Sequence, residues 1–375
     1  MASRIPLEKP PDADELEVSL FGPGIGECAV LHLGSGEWII VDSCVDTGTH
    51  EPVALEYLRK LDVDVGKSIK LLVITHWHND HMLGASKILA AADSCEIACS
   101  AALGSHEFAE LVAASTQERF GEMELPEFAR IVDILRARRS GARRASVGPE
   151  YAIEGKVLYR REASHDRVPV LVHALSPSSG SLTLSHLQFA RFLPRYKESR
   201  LTPVALPPND LAVALWVAAG DRRILLGSDL EESANPNVGW RAVVASKTRP
   251  PERAFIFKVP HHGSETSHNE NVWDQMLELN SVAVLTPFLR GVKPLPSKDD
   301  AKRLQARTSQ VFVTALPGGW KPLNRQPAVE RMLGRKLRAM TGKMGHIRIR
   351  CSTRSAEAPT VDLFSGAMRL PVQAA

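Results

Sequence analysis

The chain has 375 residues, of which 44% are hydrophobic and 24% are charged, so it has the composition of a globular protein with a sizeable core. Its formal net charge of +3 is too small to identify a nucleic-acid-binding protein from the whole-chain balance. The five cysteines form no CxxC pair, which argues against a disulfide framework and against a thiolate zinc site. The N-terminal residues have no apolar signal core, and the longest apolar run, 211–219, is too short to span a bilayer. We therefore expect a soluble cytoplasmic protein.

The first third of the chain alternates between strand and helix patterns. Residues 1–15, with three prolines, predict an extended lead-in. Three short β-rich runs separated by glycine turns follow over 17–44. A helical pattern at 51–61, a buried strand at 70–75 and an alanine-rich helix at 83–92 come next. This alternation predicts a layered α/β architecture.

The rest of the chain predicts more strands around one insertion. Residues 104–164 are typical of a mainly helical, basic insertion over the core. Strand patterns then occur at 168–175, 211–219, 222–227, 254–260, 281–287 and 310–317. A last strand is expected at 345–351, and 353–375 are expected to form a C-terminal tail. We therefore predict one domain over 16–352.

A cluster of metal-binding residue types, His76-Trp-His-Asn-Asp-His81, lies between a buried strand and a helix. Imidazole and carboxylate are the usual ligands of zinc, manganese or iron, and alternate residues of an extended segment point the same way. The alternative is a polar loop of solvated histidines. The sequence favours a metal site formed by His76, His78, Asp80 and His81.

This motif resembles that of the metallo-β-lactamase superfamily, whose fold is a four-layer αββα sandwich. The resemblance implies that His76 and His78 bind one metal and that Asp80 and His81 bind a second. Asp42, at the end of WIIVD, would orient this loop, although an ordinary turn aspartate is the alternative. Asp229, after RRILLGS, would bridge both metals, the alternative being a helix N-cap.

The segment KVPHHGS would supply the last histidine ligand of the second metal. We prefer His261, because it follows directly from the strand, and leave His262 to face the substrate, although the sequence does not decide between them. The order NDLAVALWVAAGDRRILLGSDLEE, then FKVPHHGSETS, resembles one branch in particular. That branch is the metallohydrolase domain of the competence protein ComEC and its soluble relatives, and the likeness covers about 16–290.

The third histidine of the first metal site is missing, because ALSPSSG stands where the wider superfamily has a PGHT-like turn. His76, His78 and Asp229 would then hold this metal weakly. Zinc is the expected metal, with manganese as the alternative. A substitute ligand is the less favoured alternative, from one of four other histidines: His106, His165, His173 and His186.

The expected reaction is hydrolysis by a hydroxide that bridges two metals, with Asp80 and His262 as catalytic residues. Asp80 argues against antibiotic cleavage, and the missing histidine argues against thioester and lactone substrates, so a phosphodiesterase or nuclease is favoured. His262 would assist the leaving oxygen, and Asn209 and Ser264 are weaker candidates for substrate contacts.

The favoured substrate is a nucleic acid or a nucleotide, and two basic clusters are candidate phosphate contacts. The first consists of Arg136, Arg138, Arg139, Arg143 and Arg144, and the second of Arg331, Arg335, Lys336 and Arg338. A solvated basic face is the alternative. Two other functions stay open: an inactive metal-binding subunit of a multi-protein bacterial system such as phage defence, and a hydrolase of another ester or lactone.

Overall fold

The computed structural model describes residues 8–23, 26–104, 125–140, 149–192, 208–289, 293–318, 320, 344–355 and 357–371. Within these residues, two eight-stranded sheets face each other, and helices cover their outer faces. This arrangement confirms the predicted four-layer αββα sandwich. The basic cluster at 331–338 and three of the arginines of the first cluster, Arg139, Arg143 and Arg144, lie outside the described side chains.

The first sheet has the strand order β15-β14-β1-β2-β3-β4-β5-β6. Its strands are β1 (Glu15–Gly22), β2 (Cys28–Leu33), β3 (Trp38–Val41), β4 (Ile69–Ile74), β5 (Glu96–Ser100), β6 (Glu150–Ala152), β14 (Gly345–Ser352) and β15 (Thr360–Phe364). Strands β3 to β6 pair in parallel, and the remaining pairs are antiparallel.

The second sheet has the strand order β16-β13-β12-β11-β10-β9-β8-β7. Its strands are β7 (Val157–Arg161), β8 (Val170–Ala174), β9 (Leu215–Ala219), β10 (Arg222–Leu226), β11 (Ala254–Lys258), β12 (Leu277–Leu285), β13 (Val311–Val313) and β16 (Met368–Arg369). Strands β10 to β13 pair in parallel. Each sheet therefore has a central parallel set of strands, whose carboxyl ends can carry a site.

The helices in the described part of the chain are α1 (Val53–Lys60), α2 (Val65–Ser68), α3 (Asn79–Met82), α4 (Ala85–Ala91), α5 (Leu125–Ser140), α6 (Ser179–Phe192), α7 (Gly239–Ala245), α8 (Glu270–Met276) and α9 (Lys298–Arg307). Helices α1, α4 and α5 cover the first sheet, and α7, α8 and α9 cover the second. None of the helices in these ranges is long and apolar enough to cross a membrane.

Alternation of side chains along the strands creates the core between the sheets. Leu31 and Val73 of the first sheet and Val172 and Val217 of the second belong to one buried cluster, and all four are 0% exposed. Their neighbours in sequence point outward into the helix layers. Burying each such side chain contributes about 1.5–3 kcal/mol, so this cluster holds the two sheets, and the site at their ends, in a fixed relation.

The structure has strands in two segments where the sequence predicted none. The expected helical insertion at 104–164 ends in two strands, because β6 extends the first sheet and β7 the second. The expected tail at 353–375 contains β15, which pairs with β14, and β16, which pairs with β13. These strands are short edge strands, and two of them, β6 and β16, pair with strands about 50 residues earlier in the chain.

His32 on β2 gives the fold an acid-sensitive element. Its Nδ1 lies 2.8 Å from the carbonyl oxygen of Glu15, and its Nε2 accepts a hydrogen bond from the Gly36 amide at 3.0 Å. Only the neutral ring with its proton on Nδ1 satisfies both partners. Burial lowers the pKa of His32 to about 4.

We expect His32 to make unfolding easier in mild acid. Its pKa is depressed in the folded state, so its contribution is complete above the unfolded value of about 6.5 and is lost as the pH falls through the folded value. Linkage gives a loss of about 2 kcal/mol between pH 7 and pH 5. Urea unfolding of the wild type and of His32→Gln at both pH values measures it. Equal losses in both proteins would contradict the assignment.

Candidate metal centre

The loop after β4 brings His76 and His78 together. Their Nε2 and Nδ1 atoms, respectively, are 3.2 Å apart, and the His76 ring is fully buried. Two nitrogens bound to one tetrahedral ion at about 2.0–2.1 Å lie roughly 3.4 Å apart. Thr75 Oγ1 lies 2.9 Å from His76 Nδ1 and fixes the other side of that ring. This pair therefore has the spacing that one cation requires.

Asp42, directly after β3, orients the loop. One carboxylate oxygen accepts the Thr75 amide at 2.8 Å, and the other accepts the Thr75 hydroxyl at 2.8 Å and His81 Nδ1 at 2.7 Å. The proton on Nδ1 leaves the lone pair of His81 on Nε2, which faces the centre. A carboxylate behind a metal-binding imidazole fixes its tautomer and orientation in the same way.

A second group of donors surrounds His81 Nε2. Asp229 Oδ2 lies 3.5 Å and Asp80 Oδ2 3.8 Å from this nitrogen. His262 Nε2 lies 3.8 Å from the same Asp80 oxygen and 3.7 Å from the same Asp229 oxygen. Asp80 and His81 come from the first sheet, whereas Asp229 and His262 come from the second. The two sheets thus contribute equally to one donor group.

The donor set fits a divalent cation. His81 Nε2 and Asp229 Oδ1 are buried and have no hydrogen-bond partner among the described residues. Orphaned buried polar atoms are costly unless an ion or water satisfies them. Among the described residues, three sets of side chains each have donor atoms within 4.8 Å of one another. They are His76, His81 and Asp229; Asp80, His81 and His262; and Glu27, Asp42 and His81.

The charges of the centre favour a cation. Burial lowers the pKa of His76 well below its usual value. Burial acts in the same direction on His81, but the carboxylates of Asp229, Asp42 and Asp80 outweigh it and raise the pKa of that imidazole. Burial alone would raise the pKa of Asp229, but His81 and His262 lower it. The carboxylates therefore attract positive charge to the position next to His81 Nε2.

The preference for His261 as the last ligand needs correction, because the structure directs His262 to Asp80 and Asp229. The chain leaves its extended path here: His261, His262 and Gly263 have φ angles of 46°, 55° and 81°. Side-chain alternation no longer applies in such a turn, so the residue that follows the strand directly is not the one that faces the centre. The carbonyl oxygen of Thr286 accepts the Nδ1 proton of His262 at 2.9 Å, which leaves Nε2 free for a metal.

His261 instead faces Glu231. Its Nδ1 lies 3.0 Å from Glu231 Oε1, which also accepts the Asn209 side-chain amide at 2.8 Å. Burial would lower the pKa of His261, but Glu231 and Asp229 outweigh it and raise that pKa. Ser264 was expected near the substrate, but its Oγ accepts the Thr266 amide and caps a short helix.

Two buried residues of the centre were not predicted. Lys258, the last residue of β11, forms an ion pair with Glu27, and its Nζ lies 3.7 Å from Asp229 Oδ1. The Glu27 amide donates to the Asp80 carbonyl at 2.9 Å. Lys258 lies within the KVPHHGS motif, and Glu231, the partner of His261, lies within SDLEE, so both could have been found from the sequence. Nothing in the sequence around Glu27 indicates that it reaches the metal centre.

The missing third histidine is not replaced among the described residues. Ser176, in the ALSPSSG segment, donates to the Ala212 carbonyl and accepts the Ala214 amide. His165 and His186 are exposed, and His173, although buried, belongs to none of the donor groups. His106 lies outside the described residues.

The basic cluster on α5 divides into two kinds of residue. Arg138 was expected to contact phosphate, but its guanidinium donates to the backbone carbonyls of Leu89, Ala92 and Cys95. It therefore caps α4 and joins it to α5, which is a correction. Arg136 is exposed and lies 3.6 Å from Asp133, so its charge still faces solvent.

Comparison with known proteins agrees with this fold. A family model described as "Metallo-beta-lactamase superfamily" matches residues 21–151, which contain the loop from His76 to His81. No curated protein sequence matches the chain.

Several solved structures resemble it weakly. The metallo-beta-lactamase fold protein YhfI from Bacillus subtilis is 10% identical, with a TM-score of 0.36 over 80% of this chain and 95% of that one. Human tRNase Z, short form, is 13% identical, with a TM-score of 0.32 over 72% and 91%. MEM-A1, a subclass B3 metallo-beta-lactamase from a soil metagenome library, is 13% identical, with a TM-score of 0.32 over 69% and 83%. At TM-scores this low, these likenesses carry no argument about activity. The two-sheet sandwich and the family match over residues 21–151 together show the metallo-β-lactamase fold in this chain.

Proposed function

We propose that this chain is a metal-dependent hydrolase of phosphodiesters, either a phosphodiesterase or a nuclease. The observation that supports it most is the convergence of Asp80, His81, Asp229 and His262 from two sheets around buried atoms that have no hydrogen-bond partner among the described residues. A purely structural role gives no reason for two carboxylates, one of them buried, to lie beside one imidazole nitrogen, so an enzyme is favoured.

The residues present would hold zinc or, alternatively, manganese. His81, Asp80, His262 and Asp229 would form the tighter site, and His76 and His78 the weaker one, because no third histidine completes it. Divalent cations bound there would supply Lewis-acid stabilisation of the negative charge that develops at phosphorus.

The protein's own residues would perform three tasks. Asp42 holds the His81 ring in one tautomer through its 2.7 Å contact, so the donor geometry is set before any ligand binds. The second task falls to Asp229, whose carboxylate has an oxygen within 4.8 Å of donor atoms of both His76 and His81 and so lies beside both proposed metal sites. The third is assistance to the leaving oxygen, which we assign to His261 because Glu231 holds it at the rim, with 22% of its side chain exposed.

The resemblance to the superfamily favours phosphodiesters, because the histidine that its thioester and lactone hydrolases retain is missing from this chain. The segment KVPHHGS also supports our proposal that the chain is nearest to the ComEC-like branch. We propose a nucleic acid or a nucleotide as substrate, with exposed Arg136, together with Arg139, Arg143 and Arg144, as candidate phosphate contacts.

A substrate screen tests this function. Purified protein is freed of metal, reconstituted separately with zinc and manganese, and tested on DNA, RNA, a cyclic nucleotide and a small chromogenic diester. We expect hydrolysis of at least one substrate, lost after chelation and in Asp80→Ala. Lack of activity on all four, in protein shown to hold metal, would reject the phosphodiester proposal and favour the partner-binding alternative. Cleavage of a lactone or thioester in their place would favour the other-ester alternative.

A further inference from the structure

A buried ion pair crosses between the two halves of the metal centre. Lys258 is only 4% exposed, and its Nζ donates to the Ser228 carbonyl at 2.9 Å in addition to its ion pair with Glu27. Glu27 is 2% exposed and belongs to the first half of the chain, immediately before β2. A buried lysine is costly unless it is paired, so both partners require each other.

The ammonium lies on one particular side of Asp229. Asp229 Oδ2 is the oxygen near His81 and His262, at 3.5 and 3.7 Å. Its Oδ1 is 3.7 Å from Lys258 Nζ, and it has no hydrogen-bond partner within the described ranges. A second cation held by His76 and His78 would also draw on the Asp229 carboxylate, which has an oxygen within 4.8 Å of the His76 donor atom. It would therefore lie close to a fixed positive charge.

We propose that Lys258, balanced by Glu27, sets the number of metal ions that the centre holds tightly. The ammonium supplies at Asp229 Oδ1 the positive charge that a second metal would otherwise bring, so one divalent cation binds tightly at Asp80, His81, His262 and Asp229. A second, at His76 and His78, binds much more weakly. This inference rests on the metal centre of the proposed function, but not on its substrate.

The size of the effect follows from Coulomb's law. A unit charge and a divalent ion about 5–6 Å apart repel each other enough to weaken binding about tenfold, even at the dielectric constant of water. The repulsion is larger in a buried site, and the Glu27 carboxylate offsets part of it. Removing one member of the pair should therefore shift metal affinity in a direction that depends on which charge is removed.

Metal titrations of three variants test this inference. Zinc binding is followed by calorimetry and by metal analysis after dialysis, and cobalt binding by its visible absorption spectrum. The wild type should bind one equivalent tightly and a second at least 100-fold more weakly. Lys258→Met should tighten the second site at least tenfold, Glu27→Gln should weaken both sites at least tenfold, and the double variant should lie between them. Lys87→Met, which breaks the exposed pair of Lys87 with Glu51, is the control and should change nothing.

The outcomes separate charge from simple structural support. If both single variants weaken metal binding and the double variant restores it, Lys258 only supports the fold and the inference fails. Two equally tight metals in the wild type would also overturn it. If Lys258→Met does not fold, the comparison of Glu27→Gln with the double variant decides, because the double variant should bind zinc at least tenfold more tightly. A wild type that binds no metal rejects the proposed function as well, whereas normal binding with unchanged variants rejects only the role of Lys258.

Discussion

His262→Ala is expected to abolish phosphodiester hydrolysis and to release metal, whereas His261→Ala is expected to retain metal. His262 Nε2 lies 3.7–3.8 Å from the Asp80 and Asp229 oxygens, at the spacing of atoms that share an ion. His261 instead contacts Glu231 at the rim. Loss of a ligand should therefore lower kcat by about 1000-fold or more, in line with the several kcal/mol that a metal supplies.

The two neighbouring histidines are matched controls for each other, because both precede Gly263 in the same turn. His261→Ala should lower cleavage of a substrate with a poor leaving group about 100-fold. It should spare the chromogenic diester, whose leaving oxygen needs no proton. Metal analysis and kinetics on both substrates measure these effects. Metal loss in His261→Ala, with full metal in His262→Ala, would reverse the assignment.

The sequence predicted the part of the site that is continuous along the chain. His76, His78, Asp80 and His81 lie within six residues between a buried strand and a helix, so local patterns define both their identity and their location. Asp42 and Asp229 each follow a strand with a clear apolar pattern. The carboxyl ends of parallel strands meet at one edge of a sheet, so strand prediction places Asp42 beside the loop from His76 to His81. Asp229 follows a strand of the second sheet, and only the packing of the two sheets brings it close.

The rest depended on geometry that local patterns do not contain. The choice between His261 and His262 failed because three consecutive residues with positive φ replace the extended path after β11. Glu27 and Lys258 are 231 positions apart, and neither has a neighbour in sequence that indicates the other. The edge strands β15 and β16 are short and weakly apolar, so pairing with strands already formed decides their structure, rather than their own propensity.

Gly26→Ala is expected to disrupt the centre from a position that bears no functional group. Gly26 has φ of +109°, and a Cβ atom there would lie 2.0 Å from the Asp80 carbonyl oxygen. The next residue, Glu27, donates its amide to that same oxygen at 2.9 Å, so the close approach of the two chain segments positions Asp80. The clash involves backbone on both sides, and no rotamer change relieves it.

Alanine at this position must therefore move the Asp80 loop by a substantial fraction of an ångström. A displacement of about 1 Å at a reacting centre costs about 100-fold in rate, and we expect a loss of this size in kcat together with weaker zinc binding.

Gly36→Ala is the matched control, because Gly36 also has positive φ, +72°, but nothing lies within 4 Å of its Cβ position. The unfolding free energy of that variant should fall by about 1–2 kcal/mol, the cost of a left-handed backbone conformation for a residue with a Cβ atom. The variant should keep its metal. Zinc content, kcat and urea unfolding of both variants provide the measurement. Full zinc content and wild-type kcat in Gly26→Ala would show that the segment holding Glu27 yields without moving Asp80, and that this contact does not position the ligand.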